Sequence, residues 1–144
     1  MPTITLQSLD EVQAFAARLA KKLKGGDILG LVGDLGSGKT TFTQMLAFEL
    51  GVKKPVKSPT FILMQLFDVG HGNAFRRLCH VDAYRIEKLR DLRTVGFEEY
   101  AGAPDIVTVV EWADRVPEIA ARTGYRELRF AFAPGGGRTV TMTD

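Results

Sequence analysis

With 144 residues, 45% of them apolar and 25% charged, the chain has the composition of one ordinary globular domain, which excludes extended disorder. A net charge of +2 is too small to mark a nucleic-acid or membrane partner by itself, and no apolar run approaches a membrane span. One cysteine, Cys79, excludes an intramolecular disulfide and fits a reducing compartment; with no secretory leader pattern at the N-terminus, the expected location is the cytoplasm.

Thr3 to Leu6 alternates as a short strand. Ser8 and Glu11 stand three apart, the spacing of a capping box, so a helix starts there; Val12, Phe15, Ala16, Leu19 and Leu23 follow its period and Gly25-Gly26 stops it. Ile28 to Val32 is a continuous apolar run, the pattern of a strand buried on both faces of a parallel sheet.

That strand runs into Gly33-Asp34-Leu35-Gly36-Ser37-Gly38-Lys39-Thr40, which has the form G-x-x-x-x-G-K-T and precedes a helix-favouring run to Leu50. Strand, loop and helix together are what a phosphate-binding loop requires. Glycines let backbone N–H groups approach phosphate oxygens, and the helix N-terminus adds unpaired donors and partial positive charge. Lys39 would reach the β- and γ-phosphates, and the Thr40 hydroxyl would ligate the bridging Mg2+. The only asparagine, Asn73, precedes Ala74, so the Asn-Lys-x-Asp element of guanine-specific switch proteins is missing and ATP is favoured over GTP.

Ser58-Pro59-Thr60-Phe61 follows a connector with Pro55, and its Thr60 resembles a switch threonine able to sense the γ-phosphate, though a plain turn reads as well from spacing alone. Phe61 to Phe67 and Phe75 to Val81 form a predicted hairpin around a Gly- and Asn-rich turn. Ile86 to Arg93 reads as a short charged helix, and Gly96 to Tyr100 as an acidic turn or helix. Asp105 to Val110 is a second parallel-type strand, Pro117 to Ala121 a short helix, and Tyr125 to Ala133 with Arg138 to Met142 an antiparallel pair.

A phosphate loop needs an acid at the end of a neighbouring strand, to hold the metal or orient water. Asp82 and Glu111 both end apolar runs, and at least one of them is expected to serve the metal. His80 suits either a carboxylate partner or an ordinary strand-end hydrogen bond, His71 an exposed hairpin tip. Trp112, next to a candidate acid, either lines the nucleotide pocket or packs on the sheet.

With these residues in view, the chain resembles the bacterial TsaE family, also called YjeE, over nearly its whole length. The resemblance rests on Gly33 to Phe42, Ser58 to Phe61, His80-Val81-Asp82-Ala83-Tyr84-Arg85 and Val110-Glu111-Trp112-Ala113-Asp114-Arg115, in the family's order. It implies an ATPase that assists the TsaB–TsaD pair in making N6-threonylcarbamoyladenosine in tRNA, without itself catalysing the transfer and with tRNA touched only indirectly or weakly. It further implies that Gly33, Gly36, Ser37, Gly38, Lys39, Thr40 and Thr41 hold the nucleotide, that Thr40 and Glu111 ligate magnesium, and that Asp82 is a further acid needed for hydrolysis and a candidate metal ligand. Thr60 would be the switch residue and Trp112 would lie near the nucleotide. Where the family often has a threonine near the start of the first helix, this chain has Val12.

The expected fold is therefore a single P-loop NTPase-type α/β domain of three layers, with a mainly parallel central sheet and an antiparallel hairpin at its edge. Two other functions remain compatible with the motifs. A small-molecule P-loop kinase shares the loop, although no long insertion for a lid follows the loop helix; a nucleotide-gated binding module would share the fold without the catalysis.

Overall fold

The computed structural model describes residues 2–56 and 64–143. Among the described residues seven strands form one sheet: β1 (Thr3–Leu6), β2 (Ile28–Val32), β3 (Met64–Asp68), β4 (Arg77–Asp82), β5 (Ile106–Glu111), β6 (Tyr125–Phe132) and β7 (Arg138–Thr143). They lie in the order β1-β7-β6-β2-β5-β4-β3. The central four, β6, β2, β5 and β4, are mutually parallel, while β3 pairs antiparallel to β4, β7 to β6 and β1 to β7. Five of the seven strands thus share one direction. Antiparallel pairing occurs at both edges and not at one alone, because β7 turns back on β6 and β1 then adds to it.

Successive side chains of a strand point to opposite faces, and the sheet uses this to build two cores. On one face Leu29, Leu31, Val107 and Val109 pack with α1 (Leu9–Ala20) and α2 (Lys39–Glu49). On the other, Ile28, Val32, Ile106 and Val110 meet α3 (Leu89–Thr94), α4 (Phe97–Tyr100) and two 3₁₀ turns at Ala113–Arg115 and Pro117–Ala121. Every residue of β2 and β5 is buried, which accounts for their largely apolar sequences.

The Ser8 hydroxyl accepts from Glu11 N at 3.2 Å, so the predicted cap of α1 is present; the return bond to the Glu11 carboxylate comes from Gln7 N at 3.1 Å. Phe42 of α2 packs against Phe15 of α1 and Phe130 of β6, with ring centroids 5.6 Å apart in each pair. This aromatic row ties the loop helix to its neighbours.

Several elements differ in type or boundary from the sequence reading. The segment after Pro117 closes into 3₁₀ turns, with Pro at the first position, and the helix expected from Ile86 starts only at Leu89. There the Asp91 carboxylate accepts from the backbone N–H groups of Glu87 and Lys88 and sets the entry. Strands β4 and β5 extend one residue past their predicted ends, so Asp82 and Glu111 are the last residues of the strands themselves. The Ser58-Pro59-Thr60-Phe61 element, with Thr60, lies outside the described residues.

Candidate functional site

Strand β2 delivers the chain into residues 33–38, and α2 begins at Lys39. A Cβ on Gly33 would stand 2.5 Å from Phe130 O and 2.7 Å from Ser37 Oγ, closer than any side chain tolerates, so only glycine fits. Gly38, at φ 106°, turns the chain into the helix, and no side chain caps the first turn of α2. Among the described residues its leading N–H groups have no side-chain acceptor, at the end of the sheet where the candidate acids stand.

Lys39 is 4% exposed and folds back on its own loop. Its ammonium donates to Gly33 O at 2.5 Å and Asp34 O at 3.0 Å, and lies 4.0 Å from the centroid of the Trp112 ring. Burial lowers its pKa from the usual lysine value, against the opposing pull of Glu111, Asp114, Asp34 and Asp82. A charged lysine held by two carbonyls and an aromatic face is well placed to exchange them for phosphate oxygens.

Trp112 is the one non-glycine residue with positive φ among those described, at 60°. That bend directly after β5 carries the indole back over Lys39, where Tyr84 packs on it at 4.9 Å between centroids. The Arg115 guanidinium stands 5.2 Å from the Tyr84 ring and 5.7 Å from Trp112. Strained backbone of this kind persists where neighbours hold it, and here they are the loop lysine and an aromatic–arginine stack.

The two candidate acids are register partners. Asp82 of β4 lies opposite Glu111 of β5, and Glu111 opposite Leu31 of β2, so both stand at the sheet end that carries the loop. Glu111 is 2% exposed and fully engaged: Thr40 Oγ1 donates to its Oε1 at 2.7 Å, and His80 Nε2 lies 2.6 Å from its Oε2. Asp82 is half-buried and its Oδ1 accepts from Tyr84 N at 2.9 Å.

This donor set fits magnesium carried in with phosphates. No group of three or more His, Cys, Asp or Glu side chains converges on a protein-only metal cage among the described residues. Mg2+ is commonly held by one or two carboxylates together with phosphate oxygens, and the adjacent oxygens of Thr40 and Glu111, with Asp82 beside them, provide that number.

Beside the loop a cleft of about 290 Å³ opens between Leu6, Ser8, Val12, Thr41, Phe130 and Arg138. Arg138 lies over the Phe132 ring at 4.5 Å and donates to Gly36 O at 3.2 Å. Of the expected residues, the structure brings together the loop glycines, Ser37, Lys39, Thr40, Thr41, Asp82, Glu111 and Trp112. His71 is exposed in the hairpin tip, and Cys79 is buried with its thiol pushed up to about 12 by desolvation. Phe130 and Arg138 were not legible as site residues, since they reach the loop only through the β6–β2 pairing and the return of β7; the Gly135-Gly136-Gly137-Arg138 run was their one local sign.

Comparison with known proteins settles the family. The family model for threonylcarbamoyl adenosine biosynthesis protein TsaE matches residues 6–139. The chain belongs to the TsaE family. It is similar to the tRNA threonylcarbamoyladenosine biosynthesis protein TsaE of Bacillus subtilis, 36% identical over 138 residues that cover 90% of this chain and 83% of the relative. Likeness to the protein of the same name from Treponema pallidum is 31% over 140 residues, covering 94% and 96%. The crystal structure of YdiB from Bacillus subtilis superposes with a TM-score of 0.73 at 28% identity, over 98% of this chain and 83% of that one. These relatives place the chain in a family of threonylcarbamoyladenosine biosynthesis proteins with the mixed α/β fold described above.

Proposed function

We propose that this TsaE-family protein is a magnesium-dependent ATPase that assists a TsaB–TsaD complex in tRNA N6-threonylcarbamoyladenosine formation, acting in the cytoplasm and touching tRNA indirectly or weakly. The observation that carries the reading is the convergence at one sheet end of an uncapped helix behind a glycine loop with a buried Glu111 bonded to Thr40. A buried carboxylate aimed at the first turn of a phosphate-type loop has little purpose in a purely structural turn.

In this reading the loop N–H groups and Lys39 hold the phosphates. The ammonium leaves Gly33 O and Asp34 O for phosphate oxygens and keeps the Trp112 face beside it. Thr40 and Glu111 would hold the metal, with Asp82 a further acid of the site. When bound, magnesium neutralises charge on the phosphates and orients them. Asp82, at the last position of β4 and next in register to Glu111, would accept a hydrogen bond from the attacking water. The adenosine would enter the cleft beside Val12 and Phe130, whose apolar walls suit a base, with Thr41 and Ser8 as polar contacts.

The reading is tested by nucleoside analysis of tRNA from cells deprived of this protein. Loss of N6-threonylcarbamoyladenosine, restored by the wild-type chain and not by Lys39→Ala, is expected; unchanged levels would contradict the assignment. Phosphorylation of a small hydroxyl acceptor by the purified protein would favour the kinase reading in its place.

A further inference from the structure

We infer that His80 is a positioning residue for magnesium: it fixes the Glu111 carboxylate so that Oε1 is presented to Thr40 and the metal. The inference rests on the functional reading above. His80 is fully buried inside β4, two residues before Asp82, and its side chain lies on the same sheet face as Asp82 and, across the β4–β5 pairing, Glu111. Its Nε2 stands 2.6 Å from Glu111 Oε2, while Thr40 Oγ1 stands 2.7 Å from Oε1. The two oxygens of one buried carboxylate are thereby tied to two different elements, β4 and α2, and the group cannot rotate without breaking one tie.

The other ring nitrogen decides what the pair does. His80 Nδ1 has no hydrogen-bond partner among the described residues. A histidine kept only to satisfy itself in the core would use both nitrogens. Among the described residues its one hydrogen-bond partner is Glu111, and toward an ionised, metal-binding carboxylate, which only accepts, Nε2 is the donor. Partners that orient a metal-binding side chain typically alter metal affinity by about 10–100-fold when removed.

The test compares His80→Met and His80→Gln, near-isosteric side chains of which only the second carries an N–H donor. ATP affinity is measured by calorimetry with excess EDTA and across a Mg2+ titration, after circular dichroism has shown each variant folded. In the expected result both variants bind ATP in EDTA within about twofold of wild type, but His80→Met needs roughly tenfold or more Mg2+ for half its effect and His80→Gln recovers most of the difference. A folded His80→Met with wild-type magnesium dependence overturns the inference, as does an equal loss of ATP affinity in EDTA and in magnesium, which marks a structural role. If His80→Met does not fold, His80→Leu takes its place in the same comparison. Wild-type protein that binds no ATP under either condition removes the functional reading, and this inference with it.

Discussion

Thr40 and Glu111 are 71 positions apart in the chain and 2.7 Å apart in the fold, hydroxyl to carboxylate. The contact joins the first turn of α2 to the last residue of β5, and it exists because β2 and β5 are parallel neighbours with Leu31 opposite Glu111. Glu111→Gln keeps the shape and removes the charge. We expect it to bind ATP within a few-fold of wild type while hydrolysis falls by about a hundredfold or more, the scale seen when one electrostatic contributor to a transition state is lost. Equilibrium binding and single-turnover phosphate release check the two halves separately.

Lys39 is held charged in a buried place, and burial pulls its pKa below the usual 10.5. A lysine lowered in this way binds its proton less readily folded than unfolded, so its charge weighs against the ligand-free fold until pH rises through the window between the lowered value and 10.5. Lys39→Met removes this penalty together with the bonds to Gly33 O and Asp34 O, so its stability relative to wild type falls as pH rises through that window. The same variant is expected to lose the stabilisation that ATP would confer on wild type. Urea unfolding with and without nucleotide, at neutral and alkaline pH, measures both effects.

Gly33→Ala places a methyl group 2.5 Å from Phe130 O at a backbone φ of 154°. The strand or the loop has to move, and a loss of roughly 2–4 kcal/mol in unfolding free energy is expected together with loss of nucleotide binding. Gly36, whose Cβ would meet open space, is the internal control for crowding, since it shares the positive φ without the contact.

Much of this site was open to inspection in the sequence because its parts are local. The loop's glycines, Lys39 and Thr40 sit between an apolar run and a helix pattern, and each requirement is met within about twenty consecutive residues. The acids were narrower guesses: Asp82 and Glu111 look alike as strand ends, and only the parallel register of β4, β5 and β2 shows that Glu111 faces Thr40 while Asp82 stands beside it. The role of His80 was equally hidden, because a pairing across two strands has no sequence spacing. Antiparallel pairs at both sheet edges follow from β1 joining β7, a contact between the two ends of the chain that no local pattern announces.

Cys79 provides a test of the core on the opposite face. Its thiol is pushed up from 9.0 to about 12 by burial, so the unfolded chain ionises there well before the folded one. Folded protein retains the proton in that window, and stability falls as pH rises above about 9. Between pH 8 and 10 the Cys79 share of that loss is about 1.4 kcal/mol, and Cys79→Ala lacks it. Tyr125, raised by desolvation and by Glu127, adds a loss in the same direction at higher pH in both proteins. Unfolding curves of wild type and Cys79→Ala at the two pH values check the difference, and a thiol reagent should label native Cys79 only as fast as the protein opens.

In the proposed function ATP is hydrolysed at the loop, aided by partners, through Lys39 and Glu111. The most direct test is phosphate release from Mg-ATP by this protein alone, with TsaB–TsaD, and with that pair plus tRNA, repeated for Lys39→Ala and Glu111→Gln. Release is expected to be slow alone, to rise with the partners and to fall about a hundredfold or more in both variants. Release that ignores the partners, or that is undiminished in Glu111→Gln, would contradict the proposed function.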